Sequence, residues 1–171
     1  MIKNIFGFVA NIIKRLLFSR FRAKDITKIY NYHKVPGLFE TSGQPGKQQL
    51  KLLAKTGYEL VINLAPCSRL EGAVINEAQI LDAEKVEYIH IPVDFNNPSN
   101  EDFEKFVSNI ERHQRKKIWV HCAANMRVSA FVYKYRRDIL KLPHQEIIGD
   151  MKTIWTPNKT WSAFLNSGKE V

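Results

Sequence analysis

Apolar positions recur along the chain with two periods, and the switches between them mark its elements. Over Met1 to Arg22, Ile2, Ile5, Phe6, Val9, Ile13, Leu16 and Leu17 follow helical spacing, with Lys3, Asn4, Asn11, Lys14, Arg15 and Arg22 mostly elsewhere on the wheel. From Lys24 to Thr41 the pattern suits one or two short strands turning at Pro36-Gly37. Pro45 stands near the start of a helix through Gln49, Leu50, Leu53 and Ala54, closed by Gly57. Tyr58 to Leu64 reads as a buried strand, and Val74 to Glu84 as a helix with Ile75, Ala78 and Leu81 inward. Val86 to Val93 is a second buried strand. Ser99-Asn100-Glu101-Asp102 is a capping-box start for a helix whose face is Phe103, Phe106, Val107 and Ile110. Ile118 to Val120 is a third strand, followed by a tight loop and a helix that is apolar on most sides. Leu142-Pro143 breaks that helix, another runs from Pro143 to Thr153, and a last one carries Trp161, Phe164 and Leu165 as core residues.

Strands beginning at Tyr58, Val86 and Ile118 alternate with helices. This predicts an α/β fold, a mostly parallel central sheet with helices on both faces. Ligands in such sheets bind beyond the carboxyl ends of the strands. Three chemically useful segments follow strand ends: Cys67-Ser68-Arg69, Asp94, and the loop from Cys122 to Arg127.

Composition adds a few boundaries. Hydrophobic residues make up 44% of the 171, enough for a packed core. The net charge is +9, and Lys3, Lys14, Arg15, Arg20, Arg22 and Lys24 precede the first acid, Asp25. That bias favours anionic partners: phosphorylated groups or a membrane surface. No nucleic-acid motif and no metal-ligand spacing is present, so neither a nucleic-acid partner nor a metal or other cofactor is expected. Two cysteines argue against a disulfide framework and for a reducing, cytoplasmic setting. Residues 1–23 read as a basic amphipathic helix, which either lies on the inner face of a membrane or packs on protein, and 24–171 as the folded domain. The first segment has neither the length of a membrane span nor a signal cleavage pattern.

The stretch from Ile118 to Ser129 carries the candidate chemistry. A loop ending at a helix start offers free N–H groups and the positive pole of the helix. That setting favours a thiolate at Cys122, and Arg127 can fork two hydrogen bonds onto a tetrahedral anion. The plainer alternative is a buried core thiol.

His121-Cys122, an arginine and then a serine resemble the phosphate-binding loop of cysteine-dependent protein tyrosine and dual-specificity phosphatases. That family places five residues between Cys and Arg; here only Ala123, Ala124, Asn125 and Met126 intervene. Val128 takes the usual arginine slot, while Ser129 keeps the position of the family's hydroxyl. One residue at a helix start rotates a side chain by about 100°. Asn125 is the best substitute for a loop glycine at positive φ. Ser42-Gly43-Gln44-Pro45 followed by a helix, Gly57 and Val61-Ile62-Asn63-Leu64 resembles a bacterial branch of the same superfamily.

The resemblance implies that Cys122 attacks phosphorus, that the loop N–H groups and Arg127 hold the equatorial oxygens, and that Ser129 steadies the departing thiolate. His121 would support the thiol through a hydrogen bond. Asp94 is the expected general acid, with Asp102 as the other candidate, and Arg69 would assist binding. Cys67 could protect Cys122 as a disulfide on oxidation. The expected function is a metal-independent phosphatase acting on a phosphorylated protein or small molecule. The competing reading is a phosphate-binding module without turnover. Sulfur transfer of the rhodanese kind leaves Asp94 without a task.

Overall fold

The computed structural model describes residues 25–66 and 76–167. The helix expected over 1–22, the Cys67-Ser68-Arg69 segment and the tail from 168 lie outside the described residues. After a short 3₁₀ turn (Ile26–Lys28) come β1 (His33–Lys34), β2 (Glu40–Ser42), α1 (Lys47–Lys55), β3 (Leu60–Asn63), α2 (Glu77–Ala83) and β4 (Glu87–His90). There follow α3 (Asn100–Arg112), β5 (Ile118–His121), α4 (Met126–Asp138), α5 (His144–Ile154) and α6 (Lys159–Asn166). The sheet order is β1-β2-β5-β3-β4, with only β1 antiparallel.

The central strands explain the layering. Leu60, Ile62, Ile118 and Val120 feed one core with Phe103, Phe106, Phe131, Met151, Trp161 and Phe164 from α3 to α6. Val61 and Trp119, pointing the other way, meet Leu50 and Leu53 of α1 and Leu81 of α2. Both faces of the sheet are therefore covered by helices. Helix α4 lies deepest, with every residue from Arg127 to Arg136 buried. Phe131 alone touches Phe103, Phe106, Trp161 and Phe164 at ring separations of 5.5–6.1 Å.

Local signals hold where the chemistry is local. Gly57, at φ +85°, ends α1 in the left-handed region that a Cβ disfavours. Ser99 caps α3 by accepting the Asp102 N–H at 3.1 Å, and its hydroxyl donates back to the Asp102 carboxylate at 2.8 Å. That bond gives Asp102 a capping task. One helix face differs from expectation. Helix α2 starts at Glu77 rather than Val74, Ala78 is exposed, and the buried pair is Glu77 with Leu81. The reason lies at the end of the sheet. Strand register places Ser42, His121, Asn63 and His90 side by side in one row, and the carboxylate of Glu77 meets that row.

Candidate active site

Cys122 follows β5 directly and is 1% exposed. Its N–H donates to Ser42 O at 3.3 Å, continuing the strand pairing for one more residue. Three residues later the chain enters α4. The turn is made by Asn125, which sits at φ +63°, ψ +3°. Asparagine tolerates this left-handed conformation better than other non-glycine residues.

The loop is stitched to the opposite segment by its carbonyls. Gln44 N–H donates to Ala123 O at 3.1 Å, and Asn31 Nδ2 donates to Ala124 O at 2.9 Å. Asn125 Nδ2 donates to Asn31 O at 2.7 Å and to Thr41 Oγ1 at 2.9 Å. Gly43 is needed for this close approach, since a Cβ there would lie 2.9 Å from Ala123 O. A trans peptide points its N–H opposite to its C=O, so fixing Ala123 O turns the Ala124 N–H to the other side. Among the described residues, the N–H groups of Ala123, Ala124, Met126 and Val128 have no acceptor. Together with the start of a 13-residue helix they are donors that an oxyanion could take.

Arg127 folds inward despite its displaced position. It is 4% exposed, and its guanidinium carbon lies 5.3 Å from the centre of the Phe95 ring. Phe95 is itself held: its ring packs on Trp155 and Trp161, and its carbonyl accepts from Trp161 Nε1 at 2.9 Å. Asp94 is the residue before it. The Asp94 side chain is exposed, and Oδ1 accepts the Asn96 N–H at 2.8 Å. The loop after β4 and the loop after β5 thus meet through Phe95 and Arg127, which brings the candidate acid's segment against the candidate phosphate loop.

Two supporting residues have other partners than the sequence suggested. The Ser129 hydroxyl donates to Met126 O at 3.0 Å and accepts from Trp155 Nε1 at 3.0 Å, so it ties α4 to Trp155 rather than to Cys122. His121, fully buried, places Nε2 2.8 Å from Glu77 Oε1 instead of bonding Cys122. The strand's alternation is the cause: His121 faces the α1–α2 side, and Cys122 the other core.

Likeness to known proteins bears out the fold. The sequence model of a family described as "DSP-PTPase phosphatase fused to NAD+ Kinase" matches residues 24–160. The chain belongs to this phosphatase family. No curated protein matches it. Among solved structures, a proposed phosphatase (DUF442) from Shewanella putrefaciens CN-32 is 33% identical, with a TM-score of 0.73, covering 82% of this chain and 91% of that one. The active form of Tk-PTP is 20% identical at a TM-score of 0.66, covering 79% and 93%. P. aeruginosa TpbA, a cysteine-to-serine variant in complex with phosphotyrosine, is 14% identical at a TM-score of 0.65, covering 85% and 87%. The last two establish the shared fold of the dual-specificity and tyrosine phosphatases. Within that family frame, sequence reasoning missed Asn31, Thr41, Phe95 and Glu77. A polar residue ending an apolar strand, as Asn63 does, was the available hint for Glu77. Asn31 and Phe95 carry no comparable local signal.

Proposed function

We propose that the chain is a metal-independent phosphatase that hydrolyses a phosphate monoester through a phosphorylated Cys122. In the first step the Cys122 thiolate attacks phosphorus, the P–O bond to the leaving group breaks, and Asp94 gives its proton to the departing oxygen. In the second, Asp94 takes a proton from water, the water oxygen attacks phosphorus, and the S–P bond breaks to release phosphate and thiolate. The loop N–H groups and Arg127 hold the equatorial oxygens throughout.

The observation that carries this reading is the inward fold of Arg127 onto Phe95. A one-residue displacement at a helix start would be expected to swing the guanidinium aside. The guanidinium is instead buried against Phe95, the residue after Asp94, which supports this reading. TpbA bound to phosphotyrosine supports a phosphorylated substrate for this chain too. The test is hydrolysis of p-nitrophenyl phosphate by the protein and by Cys122→Ser. Turnover that vanishes in the variant supports the enzyme. Vanadate binding with no turnover in either protein would support a phosphate-binding module instead.

A further inference from the structure

We propose that Glu77 is a positioning residue for the nucleophile, acting through His121. The inference rests on the phosphatase reading for its purpose, though its test does not need turnover. A carboxylate that is 3% exposed needs compensation, because burying an isolated charge is strongly unfavourable. Glu77 finds it on the polar row that ends the sheet. Oε1 stands 2.8 Å from His121 Nε2, and Oε2 accepts from Asn63 Nδ2 at 3.0 Å and from the Tyr88 hydroxyl at 3.4 Å. Asn63 also accepts the Ala65 N–H at 2.8 Å, and His90 Nε2 lies 2.7 Å from Ala65 O. One buried acid therefore ties together the ends of β3, β4 and β5, and β5 is the strand that delivers Cys122.

The charge has a second consequence. The carboxylate stands 2.8 Å from Nε2, so its negative charge favours positive charge on the ring of the residue before Cys122. An imidazolium in the residue preceding a thiol stabilises the thiolate. Among the described residues, the other titratable groups on this row are the Tyr88 hydroxyl on the same carboxylate and His90 at its end. Neither is an acid that could replace Glu77.

The experiment uses the full chain with Cys67→Ser, so that iodoacetamide reads Cys122 alone. Its alkylation rate is followed from pH 5 to 9, with and without Glu77→Gln, a change that keeps the shape and removes the charge. The expected result is a curve moved to higher pH, with alkylation at pH 6 about tenfold slower. Superimposable curves would overturn the proposal. Should Glu77→Gln not fold, imidazole nitrogen shifts of the unaltered protein decide: a proton on His121 Nε2 at pH 7 is expected, and a bare Nε2 would overturn it. Failure here leaves the phosphatase reading to its own test, the hydrolysis of p-nitrophenyl phosphate by Cys122→Ser.

Discussion

The side-chain amide of Asn125 donates to the main-chain carbonyl of Asn31 at 2.7 Å, and Asn31 returns a bond to the carbonyl beside Asn125 at 2.9 Å. This reciprocal pair fixes a loop that is one residue shorter than the family pattern. It holds the loop peptides by their carbonyls, and among the described residues the N–H groups of Ala123 and Ala124 have no acceptor. Two effects are combined at Asn125, positive φ and two donated bonds, and substitution separates them. Asn125→Ala should lose both, at about 1–2 kcal/mol for the left-handed backbone and about 1 kcal/mol per hydrogen bond. Asn125→Gly should lose only the bonds. Urea unfolding should therefore rank the variants wild type, Gly, Ala.

Arg127 and Phe95 give a second prediction. Arg127→Lys keeps the charge but not the planar fork, and kcat/KM should fall by about 10²–10³, the usual cost of losing an oxyanion donor. Phe95→Ala removes the surface on which the guanidinium rests. A cation–π contact of about 0.5–2 kcal/mol corresponds to a loss of about 2- to 30-fold in kcat/KM. A Phe95→Ala protein as slow as Arg127→Lys would mean that the ring does more than orient the arginine.

Asp94→Asn is a clean test of the acid, because asparagine can still accept the Asn96 N–H and keep the turn. The variant should lose about 10²–10⁴ in kcat/KM, which reads the first step, on phenyl phosphate, whose leaving group needs a proton. With p-nitrophenyl phosphate, whose leaving group departs without help, the loss should be much smaller. Equal losses on the two substrates would remove Asp94 from the role of acid.

A pH effect on stability follows from two tyrosines that share one carboxylate. Tyr58 and Tyr32 both donate to Glu40 Oε2, at 2.6 and 3.0 Å. Burial first, and then the bond to Glu40, push the Tyr32 hydroxyl up to about 12 and Tyr58 higher still. A group whose folded value is raised contributes stability that is complete below its unfolded value, near 10, and is lost as pH rises through the folded one. Unfolding free energy should hold steady up to about pH 10 and decline toward about pH 12. Glu40→Gln should lessen that decline.

Much of the fold was legible because its signals are short-range. The apolar run from Leu60 to Leu64, the Gly57 stop and the Ser99 cap depend on neighbours a few residues apart. So does the left-handed turn at Asn125, which follows from a tight strand–loop–helix passage. What the sequence hid is long-range pairing. The helix with Ala78 inward was the reasonable reading of an apolar pattern, yet Glu77 turns inward instead, 2.8 Å from His121 Nε2. Ser129 stands at the family's position, but Trp155, distant in sequence, takes its hydroxyl. Arg127 rests on Phe95, which no spacing rule connects to it.

The central claim is that Cys122 carries the phosphoryl group during turnover. Quenching the protein during hydrolysis of p-nitrophenyl phosphate and mapping the adduct by mass spectrometry tests it most directly. The account predicts a phosphoryl group on the Cys122 peptide, accumulating in Asp94→Asn, and neither adduct nor turnover in Cys122→Ser. Undiminished hydrolysis by Cys122→Ser would contradict it.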